Sequence, residues 1–185
     1  MLRVITGTYR GMHLSSVPGL HTRPTQDRVK EAIFSILGDR VDGATVLDLF
    51  SGTGSLGIEA LSRGASEIVF VENAQAPLKA LRQNIARVDE SSCKVLPVPI
   101  QRALPLLARE GKRFDLIFMD PPYGKKLVDK TLSLLVQHSL LTETGQIVAE
   151  HETRAVIPKE IGTLFRIDSR KYGDTSISFY SILEE

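Results

Sequence analysis

Little in this sequence is extreme, and what it lacks excludes whole classes of protein. Cys93 is the one cysteine among 185 residues. It rules out an intramolecular disulfide and any multi-cysteine metal site, and it fits a reducing compartment. No apolar run approaches the roughly 18 residues that a membrane span needs, and the opening MLRVITGTYRGMHL lacks the apolar core of a signal peptide. A cytoplasmic protein without a membrane partner is therefore expected. Net charge is scarce too: Lys and Arg number 23 against 22 for Asp and Glu, which leaves +1. So balanced a chain does not gather nucleic acid by its overall field. There is no internal repeat, low-complexity stretch or linker, and the length suits one domain. We read residues 1–40 as an N-terminal extension and 41–185 as the core of that single domain.

What is present is a regular alternation of elements. Residues 2–14, with Gly7 and Gly11, suggest a short hairpin. HTRPTQDRVKEAIFSIL (21–37) predicts a helix with Thr25 as N-cap, Asp27 in the first turn, a stripe of Val29, Ile33, Phe34 and Leu37, and Gly38 as the stop. Strands are expected at 45–50, 67–72, 94–100, 114–120 and 145–151, with helices at 55–64, 74–88, 102–110 and 126–138. Two more strands are expected around a turn at 172–174. Pro97 and Pro99 place the third strand near an edge. This order predicts an α/β fold with a doubly wound, mostly parallel sheet, whose ligands sit beyond the carboxyl ends of the strands. The chemistry should lie where 48–57, 72–73 and 120–123 converge.

The first of these segments, DLFSGTGSLG, spaces Gly52, Gly54 and Gly57 as G-x-G-x-x-G between a strand and a helix. Glycines there permit a tight turn and a close backbone approach to a ligand. Glu72 ends the next strand, where a carboxylate can accept hydrogen bonds from both hydroxyls of a ribose. Asp48, Phe50, Ser51, Gly52, Gly54, Glu72 and Asn73 are thus candidates for holding a nucleotide-like cofactor. A dinucleotide such as NAD would bring an anionic pyrophosphate to the turn. S-adenosylmethionine would bring a sulfonium and an ammonium, and Asp48 is placed to serve the ammonium, which favours it. A structural turn with a surface Glu is the plain alternative.

The second signal is Asp120-Pro121-Pro122-Tyr123, directly after an apolar run. The lone pair of a nucleobase amine is delocalised into its ring and attacks poorly. Two acceptors, the Asp120 carboxylate and a backbone carbonyl such as that of Pro121, can hold the two N–H bonds so that the lone pair turns outward. The prolines fix the backbone beforehand. Tyr123 offers a stacking face for a base turned out of its helix. A strand-end Asp capping a turn is the structural alternative.

Together LDLFSGTGSLGIEALSRGA, FDLIFMDPPY and YGDTSISFY, with the opening RVITGTYRG and TRPTQDRVKEA, resemble the bacterial RsmD-type 16S ribosomal RNA guanine-N2 methyltransferases of the class I, Rossmann-like fold. The likeness runs almost end to end. It implies a seven-stranded sheet with helices on both faces and a short N-terminal β-hairpin and helix. It also implies methyl transfer from S-adenosylmethionine to a guanine N2 in 16S rRNA. The near-zero net charge points to RNA already folded in an assembled or partly assembled small subunit, and a monomer is the default expectation. By that resemblance Asp48, Gly52, Gly54 and Glu72 hold the cofactor and Asp120 to Tyr123 the target amine. Where the family places Asp or Asn after the third strand to meet the adenine amine, this chain reads PIQRAL, so Gln101 or Arg102 stands there; Gln offers an amide oxygen, Arg no acceptor. Arg10, Arg23, Arg28, Lys30 and Arg170 are candidates for RNA contact, with a solvated surface as the bland alternative. An amino-methyltransferase acting on adenine or cytosine, in DNA or another RNA, and an NAD-binding oxidoreductase remain open alternatives. His13, His21, His138 and His151 show no metal-ligand spacing, and Cys93 reads as a packed small residue.

Overall fold

The computed structural model describes residues 2–17, 24–122 and 127–183. Its strands are β1 (Thr45–Leu49), β2 (Glu67–Val71), β3 (Cys93–Leu96), β4 (Phe114–Met119), β5 (Leu141–Glu152), β6 (Glu160–Ile161), β7 (Leu164–Tyr172) and β8 (Thr175–Ile182). Its helices are α1 (Pro24–Leu37), α2 (Ser55–Ser62), α3 (Gln75–Ile85), α4 (Ile100–Arg109) and α5 (Leu127–Gln137). All eight strands join one sheet in the order β3-β2-β1-β4-β5-β8-β7-β6. The first five are parallel and the last three antiparallel. Strand order reverses between β1 and β4, which opens a crevice at their carboxyl ends.

Side chains of a strand alternate between faces, so a central strand buried on both sides needs apolar residues at every position. Val46, Ile68, Phe70, Leu116, Phe118 and Val148 pack on one face with Ile33, Phe34 and Leu37 of α1, Ile58 of α2 and Leu81 of α3. Leu47, Val69, Ile117, Met119 and Ala149 pack on the other with Leu104 and Leu107 of α4 and Leu132 and Leu135 of α5. The predicted α1 stripe is buried throughout.

Several expectations need correction. The sheet has eight strands rather than seven, because the two-residue β6 pairs with β7. Strand β3 is the edge strand expected, but it stops at Leu96: Pro97 cannot donate to the ladder, and the chain turns into α4 at Ile100. Helix α1 starts at Pro24, one residue before the expected cap at Thr25; proline suits a first helical position, where its missing N–H has no partner to lose. Strand β5 begins four residues earlier than expected.

The N-terminal hairpin shrinks to one bridge, Arg3 with His13, flanked by Val4 N–H to Met12 O at 3.0 Å and Leu14 N–H to Leu2 O at 2.9 Å. This segment joins no sheet. It lies on α2 and α3 instead, where buried side chains receive its backbone. Glu59 accepts from Ile5 N–H (2.7 Å) and Thr6 N–H (3.0 Å), Ser62 Oγ from Tyr9 N–H (2.9 Å), and Asn84 Oδ1 from Ser15 N–H (2.7 Å).

Candidate active site

The chain leaves β1 through a backbone that few residues tolerate. Phe50, Gly52 and Gly54 have φ of 58°, 56° and 82°, all in the left-handed region. Ser51 braces this turn to β2: its hydroxyl donates to Asp48 O (2.6 Å) and accepts from Val71 N–H (3.0 Å). The Ser51 side chain is thereby committed to the scaffold, and so is its backbone: the N–H donates to Val71 O (3.1 Å) and the carbonyl accepts from Gly54 N–H (2.8 Å). Gly57 permits the closest approach. A Cβ there would stand 2.3 Å from Cε1 of Phe70 and 3.0 Å from Oδ2 of Asp48.

Asp48 is 3% exposed, and its Oδ2 accepts the Gly57 N–H at 2.9 Å. Burial pushes its pKa up to about 7, and the Asp120 and Glu72 carboxylates add to the rise against the pull of the Gly57 bond. Glu72 accepts from Gly52 N–H (2.9 Å), Asn73 N–H (2.8 Å) and Ala74 N–H (2.8 Å). One carboxylate thus pins the glycine turn to the β2 exit; Oε1 accepts from both Asn73 and Ala74, so the lone-pair capacity left for a hydroxyl is on Oε2. Asn73 itself is exposed and enters only through its backbone. Gln101 and Arg102 are exposed in the first turn of α4, just past β3. Asn84 ties the N-terminal segment to this turn, donating to Ser15 O (3.1 Å) and Thr53 O (2.9 Å).

Asp120 follows the last residue of β4, with Pro121 buried and Pro122 exposed after it. Tyr123 and Arg23 lie outside the described residues. Sequence reasoning missed a further acid, Glu150 of β5. Its signal was the one that exposed Glu72 and Asp120: an apolar run, here IVA, ending in a carboxylate. Phe70, Phe118 and Val148 share the face covered by α1 to α3. Two residues on, Glu72, Asp120 and Glu150 project from that same face, alongside Asp48, which pairs in register with Phe70 and Phe118. Burial pushes Asp120 and Glu150 upward, and Asp120 adds to the rise of Glu150. Asp120 still presents surface to water, which screens part of this cost; the upward direction is also what four crowded carboxyls demand. Among the described residues none of the four takes part in an ion pair. The crevice is thus lined by acidic side chains from β1, β2, β4 and β5.

The basic candidates divide. Arg10 and Arg28 are exposed, and Arg170 is exposed while paired with Asp168 at 2.9 Å. Lys30 requires correction. It is 4% exposed, and its ammonium donates to Arg3 O (2.5 Å) and Ser55 Oγ (3.1 Å) and lies 3.4 Å from Glu59. It fastens α1 to the N-terminal segment and α2, out of reach of RNA. Among the described residues no group of three or more His, Cys, Asp or Glu could hold a metal ion. Burial pushes the Cys93 thiol up to about 12, with Asp89 and Glu90 adding to it, so the thiol is a poor nucleophile.

The family model described as "Conserved hypothetical protein 95" matches residues 2–181. The Bacillus subtilis protein YlbH is 38% identical over 180 residues, 97% of this chain and 98% of that protein. Ribosomal RNA small subunit methyltransferase D of Escherichia coli is 35% identical over 159 residues, 85% of this chain and 78% of the relative. Among solved structures, yhhF from Escherichia coli superposes with a TM-score of 0.83 at 32% identity, covering 99% of this chain and 98% of its own. A more distant likeness of fold, SMU.776 complexed with SAH, has a TM-score of 0.67 at 18% identity over 84% of this chain and 49% of its own.

Proposed function

Since the chain belongs to the family described as "Conserved hypothetical protein 95", and with it to the class I methyltransferase fold, we propose that it methylates the exocyclic N2 amine of a guanine in 16S rRNA. The observation that carries this reading is the acidic row along the strand ends: Asp48 and Glu72 at the glycine turn, with Asp120 and Glu150 beyond them on β4 and β5, none in an ion pair among the described residues. An NAD-type pyrophosphate would set anion against anion there. S-adenosylmethionine, the proposed methyl donor, supplies an electrophilic methyl on a sulfonium and fits the same place as a cation. Asp48 receives its ammonium and Glu72, through Oε2, a ribose hydroxyl. The backbone from Phe50 to Gly54 makes room for it, and Gln101 and Arg102 border the side where its base would lie.

On the β4 side Asp120 accepts one N2–H of the target base and the Pro121 carbonyl the other. Their joint hold turns the lone pair out of the ring plane, so the amine is aligned before it reacts. As N2 gains its methyl group it must shed a proton, and Asp120 is the acceptor at hand. Tyr123 is the stacking ring of this scheme. Arg10, Arg23, Arg28 and Arg170 are its phosphate contacts. A chain of net charge +1 has little general pull on RNA, which favours a substrate already folded in a partly assembled small subunit, met in the cytoplasm by a monomeric enzyme. Replacing Asp120 by Ala should lower turnover by about 10²–10³-fold, or roughly 2.7–4 kcal/mol, with little change in the cofactor Kd. Turnover close to that of the wild type would overturn the role assigned to Asp120.

A further inference from the structure

We propose that Glu150 is the residue that selects guanine: its carboxylate accepts the ring N1–H of the target base while Asp120 holds N2. This rests on the guanine-N2 reading above. Met119 pairs with Ala149 in the parallel β4–β5 ladder, so Asp120 and Glu150 leave adjacent strands side by side, about 4.8 Å apart. The glycine turn, Asp48 and Glu72 occupy β1 and β2, the cofactor half of the crevice. The β4 and β5 ends form the other half, where a substrate must enter. From Glu150 one row of the sheet runs outward, through Ile177 of β8 to exposed Arg170 of β7. Residues directly opposite in antiparallel strands share a face, so Arg170 stands on the same face, two strands and about 10 Å away, on the path of a backbone entering there.

The pattern of acceptors then decides the base. Guanine offers two adjacent donors on its Watson–Crick edge, N1–H and the N2 amine. Adenine has a lone pair at N1, and cytosine one at N3. Two neighbouring carboxylates match guanine and repel the other two, which supplies specificity by mismatch as well as by match. Accepting N1–H also moves electron density toward N2, which strengthens the nucleophile. Among the described residues neither the carboxyl of exposed Asp120 nor that of half-buried Glu150 has an ion-pair or side-chain hydrogen-bond partner, and a half-buried carboxyl such as that of Glu150 is one a ligand can satisfy. Burial and Asp120 push Glu150 up to about 8 in the free protein; a cationic cofactor in the adjoining half of the crevice favours the ionised, accepting form.

The test uses small subunits reconstituted with 16S RNA that carries guanosine or 2-aminopurine riboside at the methylated position. 2-Aminopurine keeps the N2 amine and replaces N1–H by a lone pair. The wild type should prefer guanosine. In Glu150→Gln the amide can donate to that lone pair, and the preference in kcat/KM should fall roughly tenfold or more. Glu150→Ala, which removes the acceptor without adding a donor, should lose the preference as well. S-adenosylmethionine binding reports that each variant is folded. An unchanged preference in both variants overturns the proposal. So does a loss confined to cofactor affinity, which would make Glu150 a partner of the sulfonium. Failure of the wild type to methylate guanosine at all would fell the underlying reading, and this one with it.

Discussion

At the scale of single residues, Asp48 is held where ligand binding and stability pull against each other. Its carboxyl is raised from 3.8 to about 7, chiefly by burial. The folded, cofactor-free protein therefore keeps a proton there that the unfolded chain has already lost. This contribution to stability is complete below about pH 4 and is lost as pH rises through about 7. Buried His151, with its pKa lowered mainly by burial, acts in the opposite sense near its own ordinary range, so the wild-type curve alone is not diagnostic. Comparison with Asp48→Asn isolates the Asp48 contribution. The amide can still accept from Gly57, and the variant should melt higher than wild type above pH 7 and lack this decline. It should also bind S-adenosylmethionine about 10–100-fold more weakly, having lost a charged hydrogen bond worth about 1.5–3 kcal/mol. Melting curves and binding isotherms check both halves.

Lys30 shows why some roles stayed hidden in the sequence. Among the charges of residues 1–40 it looked like another RNA contact. Yet positions 30, 33, 34 and 37 are spaced as one helical face, and that face is buried with Ile33, Phe34 and Leu37. The predicted stripe of Val29, Ile33, Phe34 and Leu37 left Lys30 out; what the sequence did not show was Glu59, which has no exposed surface and receives Lys30, Arg63 and two N-terminal amides. Lys30→Met should destabilise the fold by about 3 kcal/mol, the low end for breaking a buried pair because Arg63 still serves Glu59. The salt dependence of RNA binding should stay as it is. A variant of full stability but flattened salt dependence would return Lys30 to the RNA surface.

At the scale of elements, the β1–α2 junction is a tight joint. Gly57 lets α2 lie against Phe70 and Asp48, so Gly57→Ala forces Phe70 or the helix to move. We expect a loss of about 1–3 kcal/mol in denaturant unfolding, as for other overpacked sites, together with weaker cofactor binding. A variant with unchanged stability would show that the joint has slack. This junction was legible because its glycine spacing and its apolar strand reflect local sterics. The edges of elements were less so. Strand β3 lost its expected end to Pro97 and Pro99, and the N-terminal segment exchanged sheet pairing for the side chains of Glu59, Ser62 and Asn84, which no local pattern announces.

At the scale of the whole molecule, alternation of strands and helices foretold the parallel sheet and the place of its crevice. It did not foretell the meeting of four carboxylates there. Asp48, Glu72, Asp120 and Glu150 are scattered over more than half the chain, and only the β3-β2-β1-β4-β5 order with its register aligns them on one face. That alignment is the basis for assigning a cationic methyl donor and a base bearing adjacent N–H donors. The most direct test supplies isotopically labelled S-adenosylmethionine to the protein with small ribosomal subunits from cells lacking their own guanine-N2 methyltransferases. Naked 16S RNA and DNA run alongside, and the digested nucleosides are identified by mass spectrometry. The account predicts label in N2-methylguanosine, foremost from the subunits. Label in a methylated adenine or cytosine, or none in any nucleic acid despite cofactor binding, would contradict it.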